Sequence, residues 1–415
     1  MIAQTAARMR AHLQAFSGRL SAGLCKPAQR FVAEALYGIA ARGSVRLSEI
    51  GRSLEEPIAL AKTETRLSRN LARPELRRRI GQAVLAEGAA RVGARSLLVL
   101  DLSDIAKPYA EKMQYLARVR DGSEGVIADG YWLTQVIAVE NEDNAITPLY
   151  GALYSQEAPG FVSENAEILT AVRHVAAACA GRGVWVVDRG GDRGELYAPF
   201  IAAGHSFIIR NTGERHLLSG QIKAAAADLA ESCPMHYATH ILREEKGREV
   251  SCRLDYGFRP VRLPAHPETP LWLVVVRGLG DKPMLLLTNL EMRRDRKTLW
   301  WAVSAYLTRW RVEEAIRFIK QSYDLEDIRV LTYERLRNMV ALVTAVAFFT
   351  AVVLGTKMKL AILATHLITA AKRLFGVPDF RLYAIADGIR EACARSPRRA
   401  IPATKPELQL NLGFP

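Results

Sequence analysis

The sequence predicts an α/β fold: a mixed sheet covered by helices, behind an all-helical, basic N-terminal region. Three observations point there. Residues 1–92 show helical periodicity and an excess of cations. From residue 95, apolar runs of strand length appear, first as a hairpin and then alternating with helices. The resulting order of three strands, helix, strand, helix, strand suits an antiparallel start followed by parallel units.

The chain has 415 residues, which at roughly 150 per domain suggests two or three domains. The expected division is a helical region at 1–92, an α/β core at 93–340 with a β-rich insertion at about 212–295, and a helical region at 341–415. Apolar residues make up 49% of the chain, enough for sizeable cores, which excludes a wholly disordered protein. The net charge of +14 favours a polyanionic partner, nucleic acid first and an anionic membrane surface second. Cys25, Cys179, Cys233, Cys252 and Cys393 are scattered, odd in number and form no CxxC pair. That argues against a disulfide framework or zinc site and for a reducing cytoplasm. Met339 to Gly355 is apolar and uncharged, but short for a span of about 20 residues, so a buried core helix and no membrane role is expected.

Up to residue 80 there are fifteen Lys and Arg against six acids, so nine of the fourteen net charges lie there. SVRLSEIGRSLEE (44–56) reads as a helix capped by Ser44, and ALAKTETRLSRNLAR (59–73) as a second helix broken by Pro74. Lys62, Arg66, Arg69 and Arg73 recur at helical spacing and share one face of it. A charge run is usually only a solvated face. Here Glu64 alone lies among the cations, and two short helices with a tight link suit a helix-turn-helix that grips DNA.

The core begins with SLLVLDLSD (96–104), an apolar strand interrupted by Asp101. YWLTQVIAVE (131–140) and AITPLYGALYS (145–155) read as a hairpin across the turn NEDN. A helix runs from Ser163 to about Ala180. GVWVVDRGGD (183–192) is a buried strand ending at Asp188 before a Gly-rich turn. A short helix (195–203) leads into the strand HSFIIRN (205–211). Residues 234–290 alternate and are rich in β-branched residues, as an insertion of strands would be. A helix at 298–323 follows, then an apolar helical tail that turns Pro-rich and basic from 396.

That last core helix contains YLTRWRVEEAIRFIK, Tyr306 to Lys320. At about 100° per residue, Tyr306, Arg309, Glu313 and Lys320 fall on one narrow stripe, with Arg317 at its flank. The remaining faces carry Leu307, Trp310, Val312, Ala315, Ile316 and Ile319, so the helix is expected to be buried except along one charged seam. An exposed ladder of ion pairs between Arg309, Glu313 and Arg317 is the ordinary explanation of such a seam.

The spacing Tyr, two residues, Arg, three residues, Glu, six residues, Lys resembles the signature of bacterial insertion-sequence transposases of the DDE type. It stands complete here as Tyr306, Arg309, Glu313 and Lys320. Asp101 inside the first strand and Asp188 at the end of a later one resemble the same family. The resemblance covers about residues 95–325. It implies an RNase H-like core, a β-rich insertion before the glutamate helix, an end-binding helical domain and a dimer on DNA.

Phosphodiester cleavage needs an activated water or hydroxyl and a stabilised leaving oxyanion, which two Mg²⁺ ions about 4 Å apart supply; Mn²⁺ can substitute. Mg²⁺ prefers carboxylate oxygen and retains water, so acids on two strands and a helix suffice. Asp101, Asp188 and Glu313 are the expected catalytic and metal-holding residues, ahead of their neighbours Asp104, Asp192 and Glu314. Arg309 can fork a phosphate, Lys320 can act as a point charge, and Tyr306 can donate a hydrogen bond or stack on a base. Arg317, Arg189 and Arg210 are further candidate DNA contacts, with Lys107 a weaker one; Asp129 is expected to cap a turn. The implied activity is binding of an element's terminal inverted repeats, metal-dependent cleavage and strand transfer to target DNA, in the cytoplasm at the nucleoid. A nuclease without strand transfer and a catalytically idle DNA-binding regulator are the alternatives.

Overall fold

The structure is a computed structural model that describes residues 2–120, 122, 125–140, 145–245, 248–366 and 381–396. The N-terminal region is helical, as expected: α1 (Ile2–Leu20), α2 (Lys26–Arg42), α3 (Leu47–Ser53), α4 (Leu60–Leu71) and α5 (Glu75–Ala89). Helix α2 starts with Pro27 in its first turn and stops at Gly43, whose left-handed backbone (φ 60°) lets its N–H reach the Ile39 carbonyl. The helix expected at 44–56 is shorter than its pattern. Ser44 takes the N–H of Arg46 at 3.3 Å, so it precedes the helix rather than capping it. Gly38 lies where α2 crosses α3; a Cβ there would meet the Ile50 backbone Cα at 2.9 Å.

The core strands are β1 (Leu97–Ala106), β2 (Ala117–Arg120), β3 (Ile127–Val139), β4 (Ile146–Tyr154), β5 (Val184–Val187) and β6 (Ser206–Arg210). Helix α6 (Glu164–Ala178), whose N-cap Ser163 accepts from the N–H of Ala166, joins β4 to β5, and α7 (Gly194–Ala202) joins β5 to β6. β3 is antiparallel to β1 and to β4, while β1, β5 and β6 run parallel. The expected β3–β4 hairpin is therefore present, although its NEDN turn lies outside the described residues. The pattern reading missed β2, a strand of four residues.

Next come β7 (His216–Ser219), β8 (Ile222–Ala225), α8 (Ala226–Glu231), β9 (Met235–Glu245), β10 (Arg248–Leu263), β11 (His266–Arg277) and β12 (Met284–Thr288). β12 pairs antiparallel with β6, placing Leu286 opposite Arg210. The β-rich segment thus extends the core sheet, and twelve strands join among the described residues.

Helix α9 (Arg296–Ser322) begins at the N-cap Asp295, whose carboxylate accepts from the N–H groups of Lys297 and Thr298. After a short connection come α10 (Tyr333–Phe348), a π-helical turn (Phe349–Val353), α11 (Thr356–His366) and α12 (Arg381–Arg395). Tyr333–Val353 is long and apolar enough to cross a membrane, but 78% of its apolar window is buried inside the protein. It packs against α2, α5 and β4. One face of the sheet is covered by α9 and α10 together with the N-terminal helices and α12. The other is covered by α6, α7 and α8.

Candidate active site

Strand periodicity places the acids. In β1, Leu97 and Val99 face the α9 side, and Leu98 and Leu100 the opposite side. In β5, Val184 and Val186 face α9; in β6, Ile208 does. With a side-chain period of two, Asp101, Asp188 and Arg210 all fall on the α9 face. Register brings them level. Leu100 pairs with Val187, and Val187 with Ile209. One position further on each strand lie Asp101, Asp188 and Arg210, side by side where the parallel pairing ends.

The two aspartates differ in surroundings. Asp188 caps a 3₁₀ turn, Arg189–Gly191, and accepts the Gly190 N–H at 2.8 Å. Arg189 is exposed on that turn. Asp101 has no hydrogen-bond partner among the described residues. Burial raises its pKa, and the neighbouring Asp188 and then Glu313 add to this against the opposing pull of Arg309; together they push it up to about 7. The rival acids are occupied. Asp192 is 1% exposed and takes hydrogen bonds from Tyr197, Asn211, Thr212 and Arg215. Asp104 is buried, accepts the Gly122 N–H at 3.2 Å and lies 4.0 Å from Lys320 Nζ.

The α9 stripe faces the strand ends rather than solvent, so half of it is buried. Tyr306 and Arg309 are both buried. The expectation that Tyr306 stacks on a base does not hold for this arrangement. Burial raises its phenol's pKa, while Arg309 and Arg210 beside it oppose the rise. The Arg309 guanidinium lies over the Tyr306 ring, 5.5 Å from its centroid, and bonds Glu313 at 2.8 Å. Burial works against the Arg309 charge, but Tyr306, Glu313 and Asp101 outweigh it and hold the pKa above its ordinary value. Glu313 is half-exposed and Arg317 exposed. Lys320 is turned to Glu326 at 2.6 Å. Among the described residues, no three His, Cys, Asp or Glu side chains stand close enough to share one ion. Glu313 rests on Arg309 instead. By chemistry the donors nevertheless suit a hard divalent cation: all three are carboxylates, and Asp101 has no hydrogen-bond partner among the described residues.

On α4, Lys62 and Arg69 are exposed and in no ion pair among the described residues. Arg73 is tied to Asn70 and lies 3.7 Å from Glu75. Arg66 departs from expectation. It bonds Glu56 at 2.8 Å and the buried Glu34, so it fastens α4 to α2 rather than standing free for a partner. Lys107 is corrected likewise. It is buried, and its ammonium donates to the carbonyls of Glu326 and Ile328, with burial lowering its pKa to about 8. Asp129, expected to cap a turn, lies in β3 and pairs with Arg118 of β2 at 3.0 Å.

No family model matches the chain, and no curated protein matches it. Among solved structures it is similar to a piggyBac transposase in a synaptic complex with hairpin DNA, at 10% identity and a TM-score of 0.46, over 97% of this chain and 80% of that one. A likeness this distant does not by itself establish a shared fold or activity.

Pattern reading passed over two exposed residues in the connection between α9 and α10. Arg329 is exposed beside Asp327, and Leu331 is exposed beyond it. Loop cations carry no periodicity, so nothing in the sequence marked them.

Proposed function

We propose that this chain is a DNA transposase of the insertion-sequence type, built on an RNase H-like core. It would bind the terminal inverted repeats of its element through α4 and act in the cytoplasm as a dimer on DNA. The observation that carries the reading is that Asp101 and Asp188 stand level on neighbouring parallel strands, on the sheet face covered by the helix that bears Glu313. The strand order β4, β3, β1, β5, β6, antiparallel and then parallel, supports the RNase H-like assignment. The complete Tyr306, Arg309, Glu313, Lys320 spacing supports the choice of family.

Asp101, Asp188 and Glu313 would hold Mg²⁺, with Mn²⁺ able to substitute. Such ions, when bound, activate the attacking oxygen and stabilise the leaving one. The chain's own groups do the rest. Glu313 would have to leave Arg309 to join the aspartates, which would release the guanidinium for a phosphate. The Tyr306 ring, under the guanidinium, supports Arg309. Arg317 and Arg189, exposed on either side of the acids, line the DNA. Hydrolysis frees a 3′-hydroxyl at the element end, which then attacks a target phosphodiester in line.

The Arg309–Glu313 ion pair gives a second reading some support, because a chain that keeps this pair permanently would be an idle DNA-binding regulator. Cleavage of DNA carrying the element's ends, by the parent and by Glu313→Gln, in Mg²⁺ and in EDTA, tests both. Metal-dependent cutting by the parent, with a variant that binds but does not cut, is the expected result. Binding without cutting by both puts the regulator first.

A further inference from the structure

Three surface grooves lie end to end on the side of the protein that carries α4. The first, about 650 Å³, follows α4 and is lined by Lys62, Arg66, Arg69 and Arg73 with no acid. The second, about 560 Å³, lies between α4 and the connection to α10; Arg69, Arg329 and Arg335 line it, against the single acid Glu64. The third, about 610 Å³, lies at the far end of β1, the strand of Asp101. Arg69 belongs to the first and second grooves, and Arg329 and Leu331 to the second and third. The third groove also contains Glu326, the partner of Lys320, so it meets the stripe of α9 that leads back through Arg317 to Glu313.

The walls of this trench are fixed to one another. Arg335 Nε donates to the Ser68 carbonyl at 3.0 Å. The buried Asn338 donates to the carbonyls of Leu71 and Arg73 at 2.7 and 2.9 Å and accepts the Arg77 N–H at 3.0 Å. Asp327 joins Arg46, at the start of α3, to Arg329. Helix α4 is thereby held at a set position relative to α10 and the connection before it, which is what a protein needs if it reads DNA at one place and cuts at another.

We infer that DNA held by α4 crosses the 329–335 connection on its way to the carboxylates, with Arg329 gripping its phosphate backbone and Leu331 packing against its sugars. This rests on the DNA-processing reading above. The surface is basic in its first two grooves. In the third, Glu111, Glu326 and Asp327 offset Lys107, Lys112 and Arg329, so the grip falls on Arg329 and Arg69. Asp327 bonds Arg329 through Nε at 3.1 Å, and among the described residues no other bond holds the outer nitrogens, which suits them to a phosphate.

A matched pair of variants tests this. Arg329 is 69% exposed and pairs with Asp327 at 3.1 Å; Arg293 is 70% exposed, pairs with Glu291 at 3.1 Å and lines none of the three grooves. Binding of a random-sequence duplex of about 30 base pairs, three helical turns, is measured against salt for the parent, Arg329→Gln and Arg293→Gln. The expected result is a slope of log K on log salt reduced by about 1 for Arg329→Gln, with affinity weakened roughly five- to tenfold near 0.1 M salt, and no change for Arg293→Gln. As a second measurement, Leu331→Cys carrying a photocrosslinker should capture the duplex several-fold above both the unsubstituted protein and Ile222→Cys. Salt-dependent binding by the parent, with equal slopes for both arginine variants and background crosslinking at 331, overturns the path and leaves the function standing. A parent with no salt-dependent DNA binding overturns both.

Discussion

Asp101→Asn should stabilise the metal-free protein. The carboxylate has no hydrogen-bond partner among the described residues, and burial with Asp188 and Glu313 pushes its pKa from an ordinary 3.8 up to about 7. Between those values the folded state holds a proton that the unfolded chain has released. Stability therefore falls as pH rises through that window, by up to about 1.4 kcal/mol per pH unit, and the loss is complete above about pH 7. The full window corresponds to about 4 kcal/mol. Solvent reaching the half-buried carboxylate lowers the realistic figure to roughly 2 kcal/mol. An asparagine of the same shape carries no charge to repel Asp188, and its amide can donate to the acids around it. The assay is denaturant unfolding in EDTA from about pH 5 to about pH 8. The parent should weaken with rising pH, the variant should lack that slope, and the curves should separate most above pH 7. Adding Mg²⁺ should then recover the parent by about 2.7 kcal/mol at a hundredfold excess over Kd, and the variant by much less. Equal pH slopes in EDTA, or a variant less stable than the parent at pH 8, would refute the account of Asp101 as a charge kept at the fold's expense.

Other variants separate support from function. Asn338→Ala leaves the carbonyls of Leu71 and Arg73 and the Arg77 N–H without their side-chain partner, and should cost about 2–3 kcal/mol by thermal or denaturant unfolding. Arg66→Ala strips a partner from the buried Glu34 and should lower stability by about 1–3 kcal/mol. Lys62→Ala with Arg69→Ala should instead leave the melting temperature unchanged and flatten the salt dependence of DNA binding by about 2. Asp192→Asn disturbs an acid held by Tyr197, Asn211, Thr212 and Arg215 and should lower the melting temperature, whereas Asp188→Asn should keep the fold and lose cleavage.

The candidate acids were chosen on local pattern together with the family resemblance. Asp101 interrupts an apolar strand, which is costly unless the carboxylate has a task. Asp188 ends a strand at a Gly-rich turn, and the structure places both on the α9 face because strands alternate with period two. The passing over of Asp104 and Asp192 agrees with their hydrogen-bonded settings. The α9 stripe followed from helical spacing, but its exposure did not. A wheel shows which residues share a face, not what that face meets, and here it meets the ends of β1, β5 and β6.

Composition, strand period and helix spacing determined by themselves that this protein has a basic helical region, a mixed sheet and a glutamate helix. Those properties are set within ten or twenty neighbouring residues, where backbone geometry alone decides which side chains share a face. Only the tertiary structure decided which cations are occupied. Arg66 and Lys107 read as surface charges, yet one meets Glu34 and Glu56 and the other the carbonyls of Glu326 and Ile328. It also decided that Glu313 rests on Arg309, that the β-rich segment continues the core sheet through β12 and β6, and that Arg329 borders both α4 and the end of β1. Each of these joins residues far apart in sequence, and a charge's partner depends on distance in space, which no pattern along the chain encodes.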